Sequence, residues 1–370
     1  MKLRVARPRH SNERSTGGFY SRLLKVISKR HILAFAAVCV VIAMPVALAV
    51  NWYKSVSSGS PGGKPIVVSV SSGDTADGVI NILARDGVVA DTLAMRIYLV
   101  LHGTPSIQVG MYHFFKDEPF GRILARLDQG PNVGSIEVQP GDTFNQVAVE
   151  VIQADGISAQ KFKAALLHAV DANPATRAIV PSGLSTGLLT PEGMIGAGTY
   201  VLLPGEGVNT LASQMVARLV SDIQKVGLIG AAPGFGITPY QALTVASLVQ
   251  EEGVYKFNMS KVARVIYNRL NKGMGLQLDA TVLYALGRSG GVVTHGDLAV
   301  QSPYNTYLHT GLPPTPIAVP SMNALSATVH PASGAWLYFV VVSQSGREAF
   351  ADTFPQQLAN EKIAQKNGIS

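Results

Sequence analysis

An uncharged apolar run near the N-terminus constrains the topology of this chain more than any other feature. It covers Ile32 to Val50, 19 residues rich in Ala, Val, Leu and Ile, and about 20 apolar residues let a helix cross a bilayer. Basic residues precede the run, which marks that side as cytoplasmic, and Trp52 and Tyr53 suit the far interface. We predict a cytoplasmic tail at 1–30, a single-pass helix at 31–53 in the cytoplasmic (inner) membrane, and the remainder on the outer, periplasmic side.

A cleaved signal peptide is the alternative for the same segment. Ala47-Leu48-Ala49 resembles a cleavage site with small residues at both ends. The run is longer than an ordinary signal-peptide core, which favours a retained anchor.

The net charge of +7 originates in the tail. The first 30 residues hold nine of the 30 basic residues and one of the 23 acidic residues, so they carry +8 and the rest carries −1. This distribution gives no reason to expect nucleic-acid binding. Cys39 is the only cysteine and lies in the apolar run, so the exported part can form no disulfide. The eight His residues are scattered without metal-ligand spacing, and we predict no metal site.

Two segments of the exported part resemble each other. Each has a β-like run, a Gly-Asp-Thr turn, an amphipathic helix and an Asp-Gly stop. The side chain before each helix suits an N-cap, either Asp74 or Thr75 in the first segment and Asp142 or Thr143 in the second. The repeat is similar to LysM-type carbohydrate-binding modules. The alternative is two unrelated strand–turn–helix units.

These signals predict an α+β fold with four parts after the tail. The transmembrane helix is followed by a flexible Ser/Gly/Pro-rich linker at 54–65 and a LysM-like α+β region at 66–157. A mixed α/β domain at 158–370 completes the chain.

One helix in the last domain carries two adjacent acids, Glu251 and Glu252. Thr238, Pro239 and Gln241 form a strong helix start, and Gly253 supplies the stop. Counting back from Glu252 along one face meets only apolar residues, whereas the face of Glu251 is more polar. Adjacent residues diverge by about 100° around a helix, so the two acids point to different places.

The position of Glu252 favours a role as an acid. Desolvation at the edge of an apolar face and the negative end of the helix dipole both raise the pKa of a carboxyl group. A carboxyl that stays protonated near neutral pH can protonate a glycosidic oxygen. The alternative is a buried Glu paired with Arg264 or Arg269.

Longer motifs around this helix carry a family resemblance. They are A-S-L-V-Q-E-E-G at Ala246, K-V-A-R-V-I-Y-N-R-L-N-K-G-M-G-L-Q-L-D-A-T at Lys261, S-P-Y-N-T-Y-L-H-T-G-L-P-P-T-P at Ser302 and H-P-A-S-G-A-W-L-Y-F-V at His330. Together they resemble the endolytic murein transglycosylases of the YceG-like, or MltG, family. The resemblance is strong from Pro191 to about Asn360 and weaker upstream.

The resemblance implies that Glu252 is the catalytic acid of a lytic transglycosylase that cleaves the MurNAc–GlcNAc bond of nascent glycan strands. The 6-hydroxyl of the same sugar would be the nucleophile, so the product would end in 1,6-anhydroMurNAc and no cofactor would be needed. Peptidoglycan strands would be the substrate, and cell-wall synthases (penicillin-binding proteins) are possible partners. The alternatives are a non-catalytic peptidoglycan-binding scaffold and a hydrolytic muramidase.

The resemblance also indicates a cleft wall. Its candidate substrate-binding residues are Gln277, Asp279, Tyr304, Asn305, Thr306 and Tyr307. Tyrosine rings can stack on sugars, and amide and hydroxyl groups can bind acetamido groups. An N-cap role is the alternative for Asp279. The roles of Glu251 and His330 stay open.

Overall fold

The computed structural model describes residues 29–181, 191–253 and 258–369. Within these ranges, helices alternate with three separate two-stranded antiparallel sheets, so the protein contains both helices and strands, as the predicted α+β fold requires. The chain divides after Pro131 into two compact units. The predicted basic tail lies outside the described residues, except that Lys29 and Arg30 begin the first helix.

The first helix, α1 (Lys29–Ser58), contains the apolar run. Its segment His31–Ser58 is long and apolar enough to cross a membrane, and His31 to Val50 are exposed. An apolar surface of this length fits the hydrocarbon core of a bilayer.

The predicted linker at 54–65 falls mostly in regular elements, since a helix continues to Ser58 and a strand begins at Gly62. Helix α1 continues to Ser58, and Tyr53 and Val56 on it pack against the core of the first unit. The Ser60 N–H then donates to the carbonyl of Asp117 at 2.9 Å. Composition alone indicates flexibility, but two apolar side chains and a backbone hydrogen bond fix this segment.

The first unit is a small α/β arrangement with its own core. Its elements after α1 are β1 (Gly62–Val70), α2 (Ala76–Arg85), α3 (Thr92–His102), β2 (Gly110–Lys116) and α4 (Phe120–Gln129). Strand β1 pairs antiparallel with β2, so that Val68 lies opposite Tyr112. Both are buried with Leu83 and Ile123 from the helices. Thr75 is the N-cap of α2 and accepts a hydrogen bond from Gly78 N–H, as predicted.

The second unit begins with the second predicted repeat. Its first elements are β3 (Gly134–Val138), α5 (Phe144–Asp155), α6 (Ala159–Ala172), α7 (Pro174–Ile179), β4 (Gly198–Leu202), α8 (Val208–Val226) and α9 (Leu228–Ala231). Thr143 caps α5 in a full capping box with Gln146. Helix α6 lies along α8, and Phe162 of α6 stacks on Phe144 with ring centroids 5.5 Å apart.

The two predicted repeats belong to different units, so the boundary between the units lies at another position than predicted. Strand β3 pairs antiparallel with β4, with Val138 opposite Gly198. The second repeat is therefore built into the second unit, and the chain divides after Pro131 and not after residue 157, where the sequence places a boundary.

The C-terminal part of the second unit supports the candidate site. Its elements are α10 (Pro239–Glu252), α11 (Met259–Asn271), α12 (Asp279–Ala285), α13 (Met322–Val329), β5 (Tyr338–Val341), β6 (Glu348–Ala351) and α14 (Phe354–Lys366). Helix α10 packs against α11 and α13, and α14 packs on the β5–β6 hairpin. Apolar side chains from α10 to α13 form a second core, which includes Leu248 and Ile266.

Candidate active site

Helix α10 begins and ends where the sequence predicts. Thr238 caps it in a capping box with Gln241, and Gly253 N–H closes it on the carbonyl of Val249. The face of α10 that precedes Glu251 is not solvated as predicted, because Thr244 and Ser247 are buried. Their hydroxyls donate to carbonyls within the helix, and Ser247 Oγ also accepts a hydrogen bond from Ile317 N–H at 3.0 Å. Satisfied hydroxyls can be buried at little cost.

Glu252 is half-buried at the end of α10. Its Oε1 accepts a hydrogen bond from the backbone N–H of Ala280 at 3.3 Å. Among the described residues it forms no ion pair. Arg264 donates to the carbonyl of Ala332, and Arg269 donates to the carbonyls of Leu337, Gly275 and Leu276. The alternative of a Glu252–Arg pair is therefore wrong.

The surroundings of Glu252 favour its protonated form. Removal of the carboxyl from water raises its pKa to about 7. The hydrogen bond from Ala280 N–H opposes this shift, and the negative charges of Asp279, Glu251 and Glu348 add to it. Glu252 can therefore both donate and accept a proton near neutral pH.

The side chain of Glu251 points in a different direction from that of Glu252, as the helix geometry predicts. Its residue is exposed, and a Cβ added to Gly141 would lie 3.1 Å from its Oε1. Partial desolvation and the charge of Asp142 raise the pKa of Glu251 to about 7. Its negative form raises the pKa of Glu252, so the two acids are electrostatically coupled.

Among the predicted binding residues, Asp279 and Tyr307 interact electrostatically with Glu252. Asp279 is exposed and accepts a hydrogen bond from the Tyr307 hydroxyl at 2.6 Å. It is the first residue of α12, and the N-cap is Leu278 without a side-chain bond, so the alternative role of Asp279 as an N-cap is wrong. Gln277 is exposed with φ of 49°, a conformation that side chains rarely adopt outside functional or tightly held sites.

Two further predicted binding residues, Asn305 and Thr306, form hydrogen bonds inside the protein. The Asn305 amide donates to the carbonyls of Leu298 and Val300 at 2.9 Å each, and its Oδ1 accepts from Tyr307 N–H. Thr306 Oγ1 accepts from Leu278 N–H and bonds to the Thr281 hydroxyl. Both side chains are buried, so they hold the loop that carries Tyr304 and Tyr307 and have no exposed group to offer a sugar.

Tyr304 leads to a residue that the sequence did not single out, Glu192. The rings of Tyr304 and Tyr284 lie 4.8 Å apart, and the Tyr284 hydroxyl donates to Glu192 Oε2 at 3.1 Å. Glu192 is 4% exposed, and burial raises its pKa to about 7 against the opposing hydrogen bonds of Phe144 N–H and Tyr284. One signal was available, since Glu192 is the only charged residue between Arg177 and Glu206.

His330 lies at the C-cap of α13 and is exposed. In the described part of the chain, no group of three His, Cys, Asp or Glu side chains is placed to hold a metal ion.

The part of the chain that is similar to known proteins includes the candidate site. The profile of the YceG-like family matches residues 68–363. The chain is 30% identical to the endolytic murein transglycosylase of Bacillus subtilis (strain 168), over 81% of this chain and 85% of that protein. It is 26% identical to the endolytic murein transglycosylase of Streptococcus pneumoniae serotype 2 (strain D39 / NCTC 7466), over 78% of this chain and 56% of that protein.

A solved structure shares the fold. The crystal structure of a YceG-like protein from Listeria monocytogenes has a TM-score of 0.55 at 24% identity, and the match covers 80% of this chain and 99% of that one. The architecture is thus that of a mixed α/β protein with a partly desolvated acid at the end of a buried helix. The chain belongs to the YceG-like family.

Proposed function

We propose that this protein is an endolytic lytic transglycosylase of peptidoglycan in which Glu252 is the single acid–base residue. Its relatives that are named endolytic murein transglycosylase support the activity. The environment of Glu252 is the observation that carries the proposal: the carboxyl is half-buried and has no arginine partner among the described residues, and desolvation raises its pKa to about 7. One residue that must act first as acid and then as base needs a pKa near the working pH.

The reaction would proceed in two proton transfers. Glu252 first protonates the oxygen between MurNAc and GlcNAc, and the bond from that oxygen to carbon 1 of MurNAc breaks. The 6-hydroxyl of the same MurNAc then attacks carbon 1, and its proton passes to the ionised Glu252. The product is a 1,6-anhydroMurNAc end, and the enzyme returns to its starting state. No second carboxylate is required as a nucleophile, in contrast to a retaining hydrolase.

The neighbouring residues divide into two roles in this proposal. Asp279 and Tyr307 interact electrostatically with the acid, and Gln277 is exposed two residues before Asp279; these three residues and Tyr304 would contact the glycan. Asn305 and Thr306 would act through the loop that they hold, since their polar atoms are buried and bonded.

We further propose that α1 anchors the protein in the cytoplasmic membrane with the N-terminus inside. The length and apolar surface of α1 support an anchor, and the basic residues before it support this orientation. The strand–helix–helix–strand order from β1 to β2 is similar to that of LysM-type modules and supports glycan binding by the first unit. Nascent glycan and the synthases that make it would then be the partners outside the membrane.

The products released from purified sacculi test this proposal. The full-length protein in detergent is expected to release muropeptides that end in 1,6-anhydroMurNAc, identified by mass spectrometry. A hydrolytic muramidase would instead give reducing ends that are heavier by one water. Sacculus binding without any release of muropeptides would indicate a scaffold and would contradict the proposal.

The rate is expected to fall as the pH rises through about 7. The acid step needs protonated Glu252, whose pKa is raised to about 7, so above that pH the active fraction falls about tenfold per pH unit. Initial rates of anhydro-end formation between pH 5 and 9, measured in buffers of equal ionic strength, check this.

The Glu251→Gln variant supplies the control for this pH dependence. Because the charge of Glu251 raises the pKa of Glu252, its removal is expected to move the alkaline limb to lower pH while the rate on the acidic side is kept. A rate that stays constant up to pH 9 in both proteins would contradict the assignment of Glu252 as the acid.

A further inference from the structure

A cavity of about 510 Å³ in the second unit lies beside Tyr304, and the mechanism above places no reacting atom in it. The start of α5, the end of α12 and the loop before Tyr304 enclose it. Its described lining includes Asn145, Glu192, Tyr284, Arg288, Ser289 and Tyr304, and Glu252 is not part of that lining.

The lining of the cavity fits a neutral ligand with many hydroxyl and amide groups. The rings of Tyr284 and Tyr304 form one wall and are tilted by 53° to each other. The Asn145 amide, the Gln146 Nε2 group and the Ser289 and Ser302 hydroxyls supply hydrogen-bonding groups, whereas the Thr143 hydroxyl and Gln146 Oε1 are engaged in the capping box. Arg288 already pairs with Asp297 at 3.1 Å, which leaves little positive charge for an acidic ligand. Aromatic faces beside hydrogen-bonding groups are what a sugar ring requires.

Glu192 fixes the aromatic wall. Its Oε1 accepts a hydrogen bond from Phe144 N–H at 2.8 Å, and its Oε2 accepts one from the Tyr284 hydroxyl. The carboxyl therefore ties the start of α5 to the end of α12. The second ring is held independently, because the Tyr304 hydroxyl bonds to the Thr315 hydroxyl at 2.7 Å.

Helix α12 connects this cavity to the acid. Ala280, in its first turn, donates to Glu252, and Tyr284 lies four residues later on the cavity wall. With a rise of 1.5 Å per residue, the two positions are about 6 Å apart along the helix axis. A glycan strand that runs along α12 from Glu252 would place a neighbouring sugar at the cavity.

We propose that this cavity is a glycan subsite that binds an N-acetylated hexosamine next to the cleaved linkage, with Glu192 as the positioning residue for Tyr284. The inference rests on the proposed function for the identity of the linkage. Its sugar-binding part can be tested whether or not the protein cleaves glycan.

Filling the cavity tests the subsite. Asn145 is an exposed lining residue on α5, and Asn145→Trp is expected to raise KM for glycan strands about tenfold while kcat changes less than about twofold. Glu150→Trp is the matched control, because Glu150 is exposed on the same helix and does not line the cavity. Calorimetry of the full-length protein with chitooligosaccharides is expected to show, besides the binding proposed for the first unit, a component that Asn145→Trp weakens and Glu150→Trp keeps.

The two measurements separate the possible failures. Sugar binding that Asn145→Trp removes, in a protein that releases no anhydro ends, would leave the subsite intact and overturn the proposed function. Normal cleavage with unchanged KM and unchanged sugar binding in Asn145→Trp would overturn the subsite.

The role of Glu192 is tested by loss and rescue. Glu192→Ala removes both hydrogen bonds and is expected to raise KM about tenfold, whereas Glu192→Gln can bond to Phe144 N–H and the Tyr284 hydroxyl and is expected to restore it. If Glu192→Ala does not fold, Tyr284→Phe breaks the same contact from the other side and is expected to raise KM with kcat kept. Equal KM in Tyr284→Phe and the unmodified protein would contradict the positioning role.

Discussion

Replacing Glu252 with Gln is expected to lower the release of anhydro-ended muropeptides by at least about 100-fold, since general acid–base catalysis contributes roughly 10²–10⁴ in rate. The amide keeps an oxygen that can accept the Ala280 N–H but cannot deliver a proton to the glycosidic oxygen. The loss is expected in kcat, because the proton transfer is made only in the transition state. Mass spectrometry of muropeptides released from sacculi over a time course measures it.

The adjacent acid provides the control for this substitution. Glu251→Gln changes the same functional group one residue away on an exposed position and is expected to retain activity within about tenfold at pH 6. Sacculus binding and melting temperature should match among the three proteins. Undiminished product from Glu252→Gln, or an equal loss from Glu251→Gln, would show that the acid is misassigned.

Replacing Arg269 with Met is expected to lower the free energy of unfolding by about 3 kcal/mol, because buried acceptors lose a charged donor. Arg269 is 8% exposed and donates to the carbonyl of Leu337 at 2.6 Å and to those of Leu276 and Gly275 at 2.5 and 3.3 Å. Met has a similar length but no donor. Thermal unfolding of the second unit is expected to shift down by roughly 10 °C.

Two variants sharpen the Arg269 prediction. Arg264→Met removes one hydrogen bond, to the carbonyl of Ala332, from a half-buried position and should cost no more than about 1 kcal/mol. Arg269→Lys keeps the charge but cannot reach several carbonyls with a planar group, so an intermediate loss is expected. If Arg269→Met were as stable as Arg264→Met, the carbonyl contacts would not be the source of stability.

Local chemistry explains what the sequence could predict. Thr238 caps its helix as expected, and the structure selects Thr75 and Thr143 over Asp74 and Asp142, because a hydroxyl and the N–H groups of the next turn are close in sequence. The start of helix α10 after Thr238 has the same local cause, and Gly253 ends the helix after Glu252. The different directions of the two acids follow from helix geometry. The family resemblance then assigned a role to the inward acid.

Contacts between distant segments explain what the sequence could not predict. The pairing of β3 with β4 joins residues about 60 positions apart, and no local pattern indicates which strand will be the partner. The buried amide of Asn305 and the junction formed by Glu192 likewise depend on carbonyls, N–H groups and hydroxyls that approach only in the folded chain. Exposed and buried loops contain the same residue types, so composition alone does not tell which polar side chains stay accessible and which form hydrogen bonds inside the protein.

The continuity of α1 into the first folded unit has a mechanical consequence. Because Tyr53 and Val56 on this helix pack into the core of that unit, the helix and the unit turn together. If α1 spans the membrane, a continuous helix connects the membrane to the first unit. The distance of the first unit from the lipid is then set by the rise of that helix and not by a flexible linker. With this attachment, the first unit would reach only glycan that lies within a narrow layer above the bilayer.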